Sequence, residues 1–300
     1  MGIFNSVLIP VIETMPKSVV KIFANKYIAG DNINDAVTTV RNLNKKGLMA
    51  TVDVLGESIT DKKEALISKD ENIEALEAIS KYDLDCNLSI KLTMLGLNID
   101  QEFCMILVSE ILEKAKSVNR FVRIDMEDSS VTESTINVFE NSRKKYNDVG
   151  IVIQAYLRRS ENDVKRLSQM GANFRICKGI YIEPEKIAFK DPDEIRNNFM
   201  KILRIALENK SYCGIATHDE ILIKDSVKLV KELQLKNDEY EFQMLLGVRE
   251  NLREEAVTKG HRMRIYVPFG KRWYEYSIRR FKENPNIAGQ VLKSIFSGGK

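Results

Sequence analysis

Eight short apolar runs of strand length alternate with charge-rich amphipathic segments along this chain, and that alternation leaves few folds open. The strand-like runs fall near 49–54, 87–92, 121–126, 150–156, 173–177, 213–217, 240–246 and 262–267. The helical segments occupy 34–46, 61–80, 101–118, 132–147, 161–170, 193–209, 219–236 and 249–260. A strand, a helix and a further strand form the parallel β-α-β unit. Eight such units in about 240 residues predict a closed (β/α)8 TIM-type barrel. Residues 1–30 precede it as an N-terminal helical extension. No Pro- or Gly-rich linker divides the chain, so residues 1–300 are read as one domain.

Strand parity carries further information. Val52, Val54, Ile90, Leu92, Val122, Ile124, Ile151, Ile153, Phe174 and Ile176 share one set of alternating positions and are expected to face the helices. The opposite set holds Thr51, Asp53, Ser89, Lys91, Arg123, Asp125, Gln154 and Arg175. Barrel interiors are usually filled by branched apolar side chains. A one-residue register slip would reverse every facing, but five strands agree. Buried charges must pair, reach water or hold a ligand, because an isolated one costs several kcal/mol.

The bulk numbers exclude several classes. With 44% apolar and 30% charged residues the chain has material for a large core. A net charge of +3, spread over helical segments, is too small to predict a nucleic-acid partner. Cys86, Cys104, Cys177 and Cys213 lie far apart, which predicts neither a disulfide framework nor a zinc cluster and suits a reducing cytoplasm. No signal-peptide pattern and no uninterrupted apolar stretch of about 18 residues is present. Gly-x-Ser-x-Gly, Gly-x-Gly-x-x-Gly, Walker and metal-ligand spacings are absent too.

Active sites of this architecture form at the carboxyl ends of the strands. Asp53, Glu57, Lys91, Asp125, Gln154, Arg175, Lys178, Thr217 and His218 collect there. One of the two histidines, His218, follows a predicted strand directly; a hydrogen-bonded structural role and a functional one both fit it. Near the C-terminus, Trp273, Tyr276, Arg279, Arg280 and Glu283 share one side of a helix. Two adjacent arginines suit a small carboxylate through paired hydrogen bonds, although such a pair is also common on a solvated face.

Asp53-Val-Leu-Gly-Glu57, Ser89-Ile-Lys-Leu92, Arg123-Ile-Asp-Met126, Gln154-Ala-Tyr156, Arg175-x-x-Lys178-Gly179-x-Tyr181, Ala216-Thr-His-Asp219 and Arg279-Arg-x-x-Glu283-Asn-Pro285 occur in this order. Together, over about Tyr27 to Pro285, they resemble the proline dehydrogenase family, in particular its short single-function bacterial members. The resemblance implies a barrel that binds FAD noncovalently and oxidises L-proline to Δ1-pyrroline-5-carboxylate by hydride transfer to flavin N5, the first step of proline catabolism to glutamate. It implies that Asp125 and Arg175 are catalytic, with Arg175 beside N5. Met126, Gln154, Lys178, Gly179, Ile180, Thr217 and His218 would touch the cofactor. Lys91, Arg279 and Arg280 would hold the substrate carboxylate, and Tyr266 and Tyr276 would wall its ring. Substrate would then order the last helix as a C-terminal lid over the site.

Other roles fit several of these residues, and rival functions fit the chain. Lys91 and Asp125 also fit a purely structural buried pair, Glu57 and Glu283 fit support or contact, Tyr181 fits packing, and Cys177 fits a small buried thiol. Tyr266 favours proline over hydroxyproline, the substrate of the nearest rival reading, because a C4 hydroxyl needs room. A Schiff-base aldolase using Lys91 or Lys178 is a reading from another class. The resemblance further implies a quinone electron acceptor and a separate pyrroline-5-carboxylate dehydrogenase, since the length leaves no room for that activity. Contact with the inner face of the cell membrane is expected of the segment Val7–Tyr27, which mixes apolar residues with lysines; capping of the barrel bottom fits that segment equally.

Overall fold

The structure is a computed structural model and describes residues 17–56, 59–274 and 276–278. Eight parallel strands, β1 (Met49–Val54), β2 (Cys86–Ile90), β3 (Val122–Ile124), β4 (Val149–Gln154), β5 (Asn173–Cys177), β6 (Cys213–Ala216), β7 (Tyr240–Leu245) and β8 (Met263–Phe269), pair in chain order. Pairing of β8 with β1 closes the barrel, Thr51 lying opposite Tyr266. These are the eight runs read from the sequence. The expected C-terminal arginines, Arg279 and Arg280, and Glu57 and Glu283 lie outside the described residues.

Helices α1 (Lys17–Tyr27) and α2 (Ile33–Asn44) precede β1. The crossovers are α3 (Lys62–Lys81), α4 (Gln101–Ser117), α5 (Thr132–Arg143), α6 (Ser160–Ser168), α7 (Pro192–Glu208), α8 (Glu220–Glu232) and α9 (Glu250–Thr258). Their starts are coded locally. Asn32 and Asp35 close a capping box on α2, and Asp191 caps α7 with Pro192 in its first turn. Seven crossovers follow seven strands, and α2 packs against both β8 and β1, where an eighth would lie. Backbone hydrogen bonds from Ala29 to Pro268 and from Gly270 to Gly30, 2.9 Å each, hold that seam. The chain after β8 is therefore free to run elsewhere. Its described part turns helical at Trp273, and Tyr276 buries against Ala24, Ile28 and Leu55.

The parity expected of the strands is the parity observed. Val52, Ile90, Val122, Ile124, Ile151, Ile153, Phe174 and Ile176 are buried in one core with the inner faces of the helices. Each such side chain contributes about 1.5–3 kcal/mol through removal from water. The opposite set is polar and also buried. Arg264 donates from Nε to Glu241 Oε1 at 2.7 Å, and Tyr212 and Gln243 donate to the same carboxylate. Burial would raise the Glu241 pKa, but Arg264 outweighs it and holds the group down to about 2. Arg123 donates to the Asn173 carbonyl and side-chain oxygens at 2.6 Å each.

Such large heads fit because neighbouring strands carry glycine. Gly150 lies beside Arg123 in the ladder, and a Cβ there would meet the Arg123 guanidinium and stand 2.6 Å from the Asn173 carbonyl oxygen. Gly214 makes the same room for Gln243. Several strands end earlier than the sequence reading: β3 stops at Ile124 and β4 at Gln154, and β2 ends at Ile90, so Lys91 is the extended residue before a 3-10 turn at Leu92–Leu95. Gly150→Ala should therefore lose about 1–3 kcal/mol by overpacking. Urea unfolding measures it, and an unchanged midpoint would contradict the packing described.

Candidate active site

The carboxyl ends of the strands open into a cavity of about 840 Å³. Its floor is built by β1, β2, β3, β5 and β8. Asp125, one residue past β3, accepts from Ser89 Oγ at 3.0 Å, Arg175 Nη1 at 2.7 Å and Tyr266 OH at 2.8 Å. Arg175 spends its other donors on Gln243 at 2.6 Å and Ser89 at 3.1 Å, and its guanidinium lies 5.0 Å from the Tyr266 ring centre. Lys91 Nζ donates to Asp53 Oδ1 and to Tyr266 OH at 3.2 Å, and stands 3.6 Å from Asp125. The pair considered from sequence, Lys91 with Asp125, is present at 3.6 Å, but each partner has a nearer one: Asp53 for Lys91 and Arg175 for Asp125.

Charge follows from those contacts. Burial would raise the Asp125 pKa, but Arg175 and Lys91 outweigh it and hold the carboxyl below the ordinary aspartate value. Asp53 has no such surplus. Burial, reinforced by Asp125, pushes its carboxyl above the ordinary value against the pull of Lys91. Burial alone would lower the Lys91 pKa, yet Asp53 and Asp125 outweigh it and raise it above the ordinary lysine value. Burial first, then the two carboxylates, raise the Tyr266 phenol well above its usual value, so it remains a donor. Among the described residues Asp53 Oδ2 is buried without a hydrogen-bond partner.

The opposite wall comes from β5, β6 and β7. Asp219 caps α8 by accepting from Ile221 N at 3.1 Å. Its other oxygen gathers Lys178 Nζ at 3.1 Å and Arg196 Nε at 2.9 Å. Gly179, at φ +107, occupies a turn where a Cβ would collide with the Tyr156 ring. His218 Nε2 accepts from Leu245 N at 2.9 Å, which fixes the ring beside the cavity. Gln154 donates to the Glu127 carbonyl at 2.7 Å. Burial raises the Cys177 thiol to about 11, against the pull of Arg175, which disfavours a reactive thiolate.

Lys91, Asp125, Met126, Gln154, Arg175, Lys178, Gly179, Ile180, Thr217, His218, Tyr266 and Tyr276 all line this cavity. Four participants went unread in the sequence. Glu241, Gln243 and Arg264 stand at alternate positions of strands that were recognised, so extending the parity argument to β7 and β8 would have found them. Arg196 sits inside α7, and no local pattern separates it from the other cations of that helix. Among the described residues no group of acidic, Cys and His side chains could hold a metal, and no helix is long and apolar enough to cross a membrane.

Comparison with known proteins places this geometry. The family model described as proline dehydrogenase matches residues 36–293. The chain is similar to proline dehydrogenase 1 of Bacillus subtilis subsp. natto, at 39% identity over 91% of this chain and 90% of that one. It is also similar to the proline dehydrogenase of Deinococcus radiodurans, at 31% identity over 96% and 95% of the two chains. Among solved structures, proline utilization A from Bdellovibrio bacteriovorus inactivated by N-propargylglycine superposes with a TM-score of 0.81 at 26% identity. That match covers 92% of this chain and 34% of the longer one.

The floor network has a pH signature. The Tyr266 hydroxyl bonds the ionised form of Asp125, and a hydrogen bond to a charged group contributes about 1.5–3 kcal/mol. Tyr266→Phe should lose that much stability at neutral pH. Because the folded Asp125 pKa is depressed, the difference persists above 3.8 and fades as pH falls through the folded value. Denaturant unfolding at neutral and acid pH measures it, and a deficit independent of pH would remove the assignment.

Proposed function

This chain belongs to the proline dehydrogenase family, and we propose from that premise that the cavity holds FAD and L-proline together, yielding Δ1-pyrroline-5-carboxylate. Proline dehydrogenation is the activity; the cofactor, the roles of single residues and the acceptor are the finer reading. The observation that carries it is the cavity's division into two cationic ends. One end is largely buried, around Lys91. The other is more exposed, around Lys178 and Arg196, which meet Asp219 at the start of α8.

The residues fit FAD. Val152, Met244 and Leu245 offer apolar wall, and Gln154 and Arg175 offer polar groups beside it. The Lys178-Gly179-Ile180 turn brings bare backbone to the cavity, because Tyr156 occupies the space a side chain at Gly179 would need. Lys178, Arg196 and the helix start favour a diphosphate. Bound there, FAD supplies the two-electron acceptor for the ring hydride. Met126, Ile180, Thr217 and His218 complete the proposed cofactor contacts.

At the buried end, Lys91 keeps its charge and directs it to the proline carboxylate. Arg279 and Arg280 are proposed to join it. Tyr266 and Tyr276 bound the space for the ring, and Asp125 fixes Arg175 and Tyr266 relative to each other. Anchoring a substrate at one end sets the approach of the reacting carbon, the positioning contribution to catalysis. The acceptor beyond the protein is proposed to be a quinone, and the product to pass to a separate pyrroline-5-carboxylate dehydrogenase. An ammonium held by two carboxylates argues against Lys91 as a Schiff-base nucleophile, which must be a neutral amine.

The test is an anaerobic absorbance spectrum of the purified protein before and after L-proline. A flavin spectrum that bleaches supports the reading, and a colourless protein or an unresponsive flavin overturns it. Lys91→Gln should retain flavin and raise the KM for proline roughly tenfold to a hundredfold, as loss of a charged hydrogen bond of about 1.5–3 kcal/mol implies. Flavin loss with an unchanged KM would place Lys91 at the wrong end.

A further inference from the structure

A carboxylate arriving at Lys91 meets an ammonium already shared. Asp53 Oδ1 accepts from it, Tyr266 OH accepts from it, and Asp125 stands 3.6 Å away. Among the described residues, a third carboxylate would place three negative groups around one lysine, with Arg175 already committed to Asp125. The two resident carboxylates are unequal. Asp125 is bonded by Arg175, Ser89 and Tyr266, whereas Asp53 is 1% exposed and keeps its second oxygen without a hydrogen-bond partner among the described residues. Their repulsion is relieved most cheaply by neutralising the one with the fewest donors.

We infer that Asp53 takes up a proton when a carboxylate anion binds Lys91, so that substrate anchoring and proton uptake are one event. This rests on the reading of Lys91 as a carboxylate anchor. The bookkeeping closes: one anion enters, one proton from solution is held on the Asp53 carboxyl, and Lys91 remains an ammonium. Among the described residues, the charged and titratable groups facing Asp53 are Lys91, Asp125, Tyr266 and, through Asp125, Arg175. Arg175 and Tyr266 favour the ionised form of Asp125 and so leave the proton to Asp53. The burial that already raises the Asp53 pKa acts in the same direction. Asp53 works through Lys91 and is a positioning residue. It lets the lysine be held in place by a carboxylate without remaining neutralised once the ligand anion arrives.

The linkage has a sign. A group whose proton affinity rises on binding makes the ligand bind more weakly as pH rises. Affinity for an anion should fall by up to tenfold per pH unit in the window between the free and occupied pKa values of Asp53, which begins above 3.8. The experiment is calorimetric titration of the flavin-loaded protein with tetrahydrofuran-2-carboxylate in two buffers of different ionisation enthalpy. The wild type should take up a clear fraction of one proton per anion bound. Asp53→Asn should take up none, bind the analogue at least as tightly, and show affinity independent of pH. Glu127→Gln, which removes another buried carboxyl near Lys91, should keep the wild-type uptake. The wild-type proton count needs no variant, so misfolding of Asp53→Asn cannot shelter the idea. No uptake by the wild type, or full uptake by Asp53→Asn, would overturn it while leaving proline-dependent bleaching, and hence the functional reading, intact. Failure of the analogue to bind together with failure to bleach would remove both.

Discussion

Pairing of charges inside a closed sheet is the constraint on which the rest of this protein depends. Lys91, Arg123, Arg175 and Arg264 face three carboxylates, Asp53, Asp125 and Glu241, within the barrel. Every one of these groups has left water, and none is cheap to leave unpaired. The solution is a ladder of bonds from the bottom of the barrel to the cavity: Arg264 to Glu241, Glu241 to Gln243, Gln243 to Arg175, Arg175 to Asp125. Each rung orients the next, so the uppermost groups are fixed by residues that never meet a ligand.

That ladder needs space, and the space explains the glycines. A barrel interior of branched apolar chains interdigitates without help, whereas guanidinium heads need gaps. Gly150 and Gly214 provide them beside Arg123 and Gln243. The outward faces carry the ordinary apolar burden and give the fold its stability. Division of labour between the two faces of one sheet follows from the alternation of side chains along each strand.

Much of this was legible in the sequence because alternation survives without any knowledge of partners. The eight runs gave the strands, and their parity showed that Asp53, Arg123 and Arg175 must point inward. Pairing was less accessible. Lys91 lies as near in sequence to one candidate carboxylate as to another, and only the curvature of the closed sheet decides that Asp53 takes it while Asp125 goes to Arg175. Arg196 was invisible for a related reason: a cation on an amphipathic helix looks like any other until a carboxylate from a neighbouring loop selects it. The seat of α2 was equally hidden, since a helical segment read at 34–46 ahead of β1 gives no sign that it will occupy the seam beside β8. Its position has a consequence for the site. With the seam filled from the N-terminal side, the chain leaving β8 carries Tyr276 to the cavity.

The two ends of the cavity differ in how firmly their cations are held, and that difference follows from solvent. The Lys178 side chain is 43% exposed in its contact with Asp219, while Lys91 is 14% exposed against an Asp53 that is almost fully buried. An exposed ammonium gains little from a pair and costs little to turn away. Lys178 can therefore turn to a ligand phosphate, while Arg196 and the capping bond to Ile221 still hold the buried Asp219 carboxylate. At the Lys91 end both partners are largely buried, so a broken pair costs more. A ligand there must bring a replacement charge, and the displaced carboxylate must be neutralised as it arrives. One barrel thus carries a permissive cationic end and a demanding one, and under the proposed function selectivity for a small anion belongs to the end where desolvation is greatest.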